Sequence, residues 1–183
     1  MIYNWSRMIN RALWLYTQRA GITYCLGCSG EVAGRDAIVE KQWKYYYTRP
    51  EWHTRIGETV PGWYDNMSVD EAWEKWLTVY GGKMCFDCSG FICWCMGYEG
   101  LHMYSSWDFG AMIKQPSVSA GVAGSALFKK TSSGGHVGLD IGYGVCLDIA
   151  NYGGSINLSM IGDRGWTSSH LITDVDYYGA DAR

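Results

Sequence analysis

The sequence has few charged residues and no long run of basic or apolar side chains. Charged residues make up 18% of its 183 residues, the net charge is −3, and Lys and Arg form no stripe. A nucleic-acid-binding surface needs clustered cations to neutralise phosphates, so we expect no nucleic-acid partner. No stretch reaches the roughly 18 apolar residues of a membrane-spanning helix, and we therefore expect no membrane span.

The N-terminal segment lacks the features of a leader sequence. Residues 1–7 contain neither a continuous apolar core nor a small-residue cleavage site, so we expect no signal peptide. The seven cysteines are an odd number, which leaves at least one thiol outside any intramolecular disulfide. We interpret this as synthesis in a reducing compartment, the cytoplasm, with one thiol kept for chemistry.

Apolar and aromatic residues are abundant instead. Hydrophobic residues make up 48% of the chain, which includes 10 Trp and 14 Tyr. This content favours a compact fold, and the length predicts one domain over residues 1–183. Trp and Tyr suit a packed core and also grooves that bind sugars or peptides.

The order of hydrophobic patterns predicts helices first and strands afterwards. Helical spacing and capping signals predict helices at 5–20, 36–47, 69–80 and 88–96, whereas 22–28 has the pattern of a connector and 48–67 looks irregular. Alternating, glycine-punctuated segments predict strands at 125–129, 135–141, 145–150, 155–160 and 170–176. This order is typical of an α+β fold whose helices pack on a central antiparallel sheet.

The segment Phe86-Asp87-Cys88-Ser89-Gly90-Phe91 predicts a nucleophile at a helix start. A cysteine attacks as thiolate, and the unpaired N–H groups and dipole of a helix N-terminus are expected to lower the pKa of Cys88. The Cys88 N–H would also donate to the oxyanion of a tetrahedral intermediate. The small Ser89-Gly90 pair is expected to leave space for substrate beside the sulfur.

The later segment 135–142 predicts the matching base on a strand. His136 lies between Gly135 and Val137, and flanking glycines are expected to keep its ring face clear. A three-residue hairpin loop at 142–144 would put Ala150 opposite His136 and Asp148 on the same face, one diagonal away. A loop of even length would instead put Asn151 opposite His136. We favour Asp148 as the group that orients the imidazole, with Asn151 and His170 as alternatives.

These two segments resemble the signature motifs of NlpC/P60 cysteine peptidases, which are papain-like enzymes that cut the peptide stems of bacterial cell walls. The resemblance extends over residues 8–28 and 84–176. It implies a papain-like NlpC/P60 fold with an aromatic-rich helical insertion at 29–83. It also implies catalytic residues Cys88, His136 and Asp148, the last at the position twelve after the histidine. Tyr24 resembles the family's substrate-binding tyrosine.

The resemblance implies hydrolysis of an amide bond in peptidoglycan stem peptides, next to γ-D-glutamate, without a cofactor. Asp87, Ser89 and Gly135 are expected to line the substrate site with Tyr24. Without a signal peptide, such an enzyme is expected to reach the wall through a phage holin or as a phage component, as an endolysin does. The insertion 29–83 is expected to cap the groove or to add affinity for the wall.

Other functions remain open at the level of sequence. The same Cys–His pair suits an N-acetylmuramoyl-L-alanine amidase or an acyl transferase acting outside the wall. The aromatic residues suit a non-catalytic wall-binding module. Two CxxC pairs, Cys25/Cys28 and Cys85/Cys88, suggest a structural zinc, but 56 residues separate them, against the ~15–20 of a compact zinc ribbon. We therefore predict no metal.

Overall fold

The computed structural model describes residues 3–114, 121–132 and 134–177. Six α-helices occur in these ranges: α1 (Trp5–Thr17), α2 (Ala37–Tyr47), α3 (Pro50–Gly57), α4 (Val69–Tyr80), α5 (Cys88–Cys95) and α6 (Ser106–Ala111). In this part of the chain, no helix combines the length and apolar character needed to cross a bilayer.

The larger sheet is formed mainly by the second half of the chain. Its strands are β5 (Ile113–Lys114), β6 (Ala126–Thr131), β7 (Gly134–Gly142), β8 (Val145–Ile149), β9 (Ile156–Met160) and β10 (Ser168–Leu171), in the spatial order β5-β10-β6-β7-β8-β9. Every neighbouring pair is antiparallel. The α+β prediction with a central antiparallel sheet is therefore confirmed, and four predicted strands match β6 to β9 closely.

The predicted strand at 170–176 divides between two sheets. Its first part is the end of β10, whereas β11 (Val175–Asp176) pairs in parallel with β1 (Tyr3–Asn4) at the start of the chain. The helix predicted at 5–20 ends earlier than expected, at Thr17, and a short 3₁₀ turn follows at Arg19–Gly21. Its start is as predicted, because the Asn4 side chain accepts hydrogen bonds from the backbone N–H groups of Ser6 and Arg7.

A second, three-stranded sheet lies next to the cysteine helix, and here the sequence prediction is wrong. The predicted connector contains β2 (Ile22–Tyr24), which pairs in parallel with β4 (Met84–Phe86), and β3 (Ser29–Val32) pairs with the other edge of β4. In this register Tyr24 lies opposite Phe86. Because β4 leads directly into α5, the pairing brings the Tyr24 loop to the start of the cysteine helix.

The insertion is helical, as expected, but more regular than its sequence suggests. The predicted irregular stretch contains α3, with Pro50 in the first turn, where its missing N–H costs no helical hydrogen bond. In α4, Ser68 accepts from the Glu71 N–H, as a capping signal predicts. The rings of Trp43, Trp73 and Trp76 are buried and contact one another, so these aromatic residues form core.

Helix α5 is buried along its whole length between the two sheets. Gly90 permits this position, because a Cβ at Gly90 would lie 2.0 Å from the carbonyl oxygen of Cys28. The glycine therefore serves the packing of the helix on the backbone of residues 28–29. We expected Gly90 to leave space for substrate beside the Cys88 sulfur, whereas the contact that requires a glycine here is with the backbone of Cys28.

We expect Gly90→Ala to lower the free energy of unfolding by about 3 kcal/mol, since the added methyl must push helix and backbone apart. Gly21→Ala is the matched control, because a Cβ there meets nothing within 4 Å and should change stability by less than about 0.5 kcal/mol. Urea unfolding followed by circular dichroism measures both. Equal stabilities for the two variants would contradict this account of the packing.

Candidate active site

Cys88 is the first residue of α5, as predicted, and the cap before it is Asp87. The Asp87 carboxylate accepts a 2.7 Å hydrogen bond from the Gly90 N–H, which anchors the first turn. The Cys88 side chain is largely buried, yet it lines a cleft of about 1310 Å³ that His136 also lines. The structure thus brings the predicted nucleophile and base to one cavity.

The expectation of a lowered thiol pKa is wrong for this arrangement. Burial raises the pKa of Cys88 to about 12, and the charge on the neighbouring Asp87 adds to the rise. Hydrogen bonds from the backbone amides of Val137 and Ser89 act in the opposite direction but do not cancel it. A helix N-terminus alone therefore leaves this thiol protonated at neutral pH, and a base must remove the proton.

His136 is held by a carboxylate on the neighbouring strand. Its Nε2 lies 2.8 Å from Oδ2 of Asp148, and both side chains are buried. Because one ring nitrogen is taken by the carboxylate, Nδ1 is the nitrogen left to exchange a proton. Helix α5 packs on β7, the strand that carries His136. The backbone amide of Val137, the residue after His136 on β7, lies beside the Cys88 sulfur, so this strand contacts the predicted nucleophile.

The register of the β7–β8 hairpin explains why Asp148 reaches His136. Leu139 pairs with Leu147 and Asp140 with Cys146, and continuing this register puts Ala150 opposite His136. The loop itself is shorter than expected, since Gly142 already pairs with Val145. A bulge between Asp140 and Gly142 adds one residue on β7, and the predicted parity is kept.

Asp148 has a second partner that the sequence did not suggest. The guanidinium of Arg164 donates to the same carboxylate oxygen that contacts His136. Burial by itself would raise the pKa of Asp148, but hydrogen bonds from His136 and Arg164 hold that pKa below its ordinary value. The carboxylate is therefore charged at neutral pH, as a group that stabilises an imidazolium must be.

The two alternative partners for His136 lie elsewhere in the hydrogen-bond network. His170 contacts the Ser168 hydroxyl at 2.7 Å and the backbone oxygen of Met112 at 3.2 Å. Asn151 lines the cleft in a left-handed backbone conformation, with φ of 64°. Of the three candidates, Asp148 is the one bonded to His136.

An indole covers one face of the His136 ring, contrary to our expectation of a clear face. The rings of Trp166 and His136 stack at 5.3 Å between centroids and 13° between planes. Gly138 makes room for the indole, since a Cβ there would lie 2.7 Å from Trp166 Cζ2. Gly138, two residues after His136, thus leaves room for the Trp166 ring, and the stacked indole fixes the plane of the imidazole.

A second carboxylate–histidine pair lies at the start of α5, next to Cys88 in the chain. His102, which no sequence motif singles out, places Nε2 2.9 Å from both oxygens of buried Asp87. The Ser89 hydroxyl donates to Asp87 at 3.0 Å, and the Gly27 N–H donates at 2.8 Å. A buried carboxylate needs a cation or several donors, and the sequence does not show that His102 supplies the cation.

The contact between Asp87 and His102 changes the pKa of each side chain. Burial works against both charges, yet contact with Asp87 raises the pKa of His102, and contact with His102 lowers that of Asp87. Ser89 belongs to this cluster, because its hydroxyl donates a hydrogen bond to Asp87, and Ser89 also lines the cleft.

The remaining predicted substrate residues also lie in the wall of the cleft. Tyr24 is buried, and its ring meets that of Tyr152 edge-on at 5.4 Å. Gly135 lies where a Cβ would come within 2.8 Å of the Ser106 hydroxyl, so a larger residue would disturb that wall. Their contact with substrate stays a prediction.

The insertion forms part of the same cleft. Side chains of α2 and α3 line it, among them Gln42, Tyr46, Trp52 and Arg55. The Trp52 ring meets Tyr152 edge-on at 6.1 Å, which joins the insertion to the turn that follows β8. The insertion therefore supplies part of the cleft wall, and its role in capping the groove or binding the wall stays a prediction.

The zinc alternative finds no matching donor geometry. All seven cysteines are buried free thiols. Within residues 3–114, 121–132 and 134–177, no group of three or more His, Cys, Asp or Glu side chains could hold a metal ion. Cys25 and Cys28 lie beside the site as packing residues of the core.

No protein-family model and no curated protein matches this chain. Among solved structures it is similar to the NlpC/p60 domain of the peptidoglycan hydrolase SagA, with 24% identity, a TM-score of 0.39, and coverage of 48% of this chain and 78% of that one. It is also similar to the P60 domain of an M. avium subspecies paratuberculosis antigen, with 17% identity, a TM-score of 0.48, and coverage of 92% and 97%. A hypothetical invasion protein of Mycobacterium tuberculosis is 19% identical, with a TM-score of 0.40 and coverage of 91% and 82%.

The solved structures similar to this chain thus include NlpC/P60 domains, as the two motifs predict. With TM-scores below 0.5, these likenesses carry no argument about activity.

The Asp87–His102 pair predicts a pH-dependent contribution to stability. The pKa of Asp87 is lowered in the fold, so this group stabilises the fold at pH values above its unfolded pKa of ~3.9. The pKa of His102 is raised in the fold, so this group stabilises the fold at pH values below its unfolded pKa of ~6.5. His102→Gln should therefore cost about 2 kcal/mol near pH 5–6. The cost should shrink as pH rises through the folded pKa of His102 and as it falls through that of Asp87.

Thermal or urea unfolding between pH 3 and 9 measures this difference. His53→Gln is the control, because His53 contacts the backbone oxygens of Tyr47 and Asp65, and its carboxylate partner, Asp65 at 3.7 Å, is exposed. A cost for His102→Gln that is the same at every pH would contradict the proposed ion pair.

Proposed function

We propose that this protein is a cysteine peptidase that hydrolyses amide bonds in peptidoglycan stem peptides, next to γ-D-glutamate. The observation that carries the proposal is the hydrogen-bonded His136–Asp148 pair in the cleft that Cys88 lines. The choice of peptidoglycan as substrate comes from the resemblance of the Cys88 and His136 segments to NlpC/P60 motifs.

The first half of the reaction forms a thioester. His136 Nδ1 takes the thiol proton as the Cys88 sulfur attacks the carbonyl carbon, and the Cys88 N–H donates to the developing oxyanion. Asp148 stabilises the imidazolium that results. His136 then gives the proton to the leaving nitrogen, the C–N bond breaks, and a free amine departs.

The second half restores the enzyme. A water molecule enters, His136 takes one of its protons, and the oxygen attacks the thioester carbon. The C–S bond breaks, a carboxylic acid leaves, and the sulfur regains its proton from the imidazolium. The high pKa of Cys88 fits this scheme, because proton removal is then coupled to attack instead of preceding it.

We expect Cys88→Ala and His136→Ala to lower the rate of stem-peptide cleavage by about 10⁴-fold or more. Mass spectrometry of digested peptidoglycan measures the products and identifies the bond, which separates a peptidase from an N-acetylmuramoyl-L-alanine amidase. Cys95→Ala, in the last turn of the same helix, is the control and should retain activity. Full activity of Cys88→Ala would exclude this mechanism, and binding without any product would indicate a wall-binding module.

The third residue is tested by three substitutions compared side by side. Asp148→Ala should lower kcat by about 10²-fold or more, because the imidazolium loses its counter-charge and His136 its orientation. Asn151→Ala and His170→Ala should keep kcat within about threefold of the parent, since neither side chain bonds to His136. A larger loss in Asn151→Ala than in Asp148→Ala would reverse the assignment.

A further inference from the structure

One cation in the cleft has no role in the reaction described above. Lys129 lies on β6 directly opposite His136 on β7, and facing residues of antiparallel strands share a side of the sheet. Its Nζ lies 4.8 Å from the centre of the Trp166 ring, the same ring that stacks on His136. Lys129 therefore stands one aromatic ring away from the base.

A second cation lies beside it. The Lys129 ammonium donates a 2.6 Å hydrogen bond to the backbone oxygen of Arg164, whose guanidinium contacts Asp148. Both Lys129 and Arg164 line the cleft. The guanidinium thus supports the catalytic carboxylate, while the ammonium is held at the cleft wall by a neutral backbone group.

The positive charge of Lys129 is not balanced by a close carboxylate. Across the described ranges, no Asp or Glu oxygen lies within 4.0 Å of its ammonium. Burial lowers the pKa of Lys129 and the nearby Arg164 charge lowers it further, while the Asp148 carboxylate, already bonded to Arg164 and His136, acts in the opposite direction without cancelling the decrease. An anion bound beside Lys129 would stabilise the charged ammonium and so oppose the decrease in its pKa.

The proposed mechanism determines which part of the substrate lies near Lys129. His136 must hand its proton to the leaving nitrogen, so the amine fragment leaves on the His136 side of the sulfur. Lys129 is on that side, because it faces His136 across the strand pair. Asp87 and His102 lie at the N-terminus of α5, at the nucleophile's side of the cleft.

We propose that Lys129 binds a carboxylate of the leaving-amine fragment, within a few bonds of the scissile nitrogen. This rests on the proposed function, since it requires Cys88 and His136 to act as nucleophile and proton donor. The substrate class is accordingly a peptide whose amine-side residue carries a free carboxylate near the cleaved bond. Arg164 contributes to the positive field while remaining bonded to Asp148.

Alkylation of the thiol tests the charge near Cys88 without any peptide substrate. Iodoacetate and iodoacetamide differ in one charged group, so the ratio of their rates reports the local field. Lys129→Gln should lower the iodoacetate-to-iodoacetamide ratio about threefold to tenfold, whereas Lys129→Arg should preserve it. Lys130→Gln, the exposed neighbour on the same strand, is the matched control and should leave the ratio unchanged.

Paired peptides test recognition itself, one with a carboxylate and one with a carboxamide on the amine-side residue. Lys129→Gln should reduce kcat/KM for the carboxylate peptide about tenfold and leave the carboxamide peptide nearly unaffected. Equal losses for both peptides, or an unchanged alkylation ratio, would overturn the assignment of Lys129. Alkylation that persists in Cys88→Ala would instead overturn the proposed function, so the two failures are distinguishable.

Discussion

The buried carboxylate of Asp87 is the interaction on which the geometry of the site depends. It accepts the Gly90 N–H at the start of the cysteine helix and the Gly27 N–H in the loop after Tyr24, and it pairs with His102. Three segments far apart in the chain are thereby joined at one side chain. Removing the charge would leave donors unpaired in a buried place, which costs more than the bonds themselves contribute. The nucleophile is thus positioned by the residue immediately before it.

The same charge has an opposite effect on reactivity. Burial raises the thiol pKa of Cys88, the Asp87 carboxylate adds to the rise, and together they exceed the effect of the helix N-terminus. The site therefore separates two carboxylate–histidine pairs with different roles. The pair of Asp87 with His102 holds the scaffold, whereas the pair of Asp148 with His136 holds the base. In the proposed mechanism, activation of the thiol depends on His136, whose ring stacks on Trp166 and whose partner Asp148 is kept charged by the Arg164 guanidinium.

Much of this arrangement follows from local sequence. The helix start at Cys88 was predictable because an aspartate cap and the following small residues satisfy the first-turn N–H groups over a few positions. The strand around His136 was predictable from its alternation and its glycine-rich turn, and the parity that selects Asp148 survived a shorter loop through one bulge. In contrast, β2 is not predictable from the sequence, because a three-residue strand has too short a pattern and exists through its pairing with β4. The role of Gly90 was misread for a similar reason, since its constraint is the backbone of Cys28.

The sequence by itself predicted the candidate nucleophile, the candidate base and the face of the sheet on which the third residue lies, because hydrogen-bonding periodicity and hairpin parity act between near neighbours. Only the tertiary structure decided which charges meet at those groups. Arg164 reaches Asp148 from sixteen residues away and His102 reaches Asp87 from fifteen, after loops whose paths no periodicity encodes. The direction of the Cys88 pKa was also a tertiary result. Burial and neighbouring charge set it, and both depend on how the whole chain closes around the sulfur.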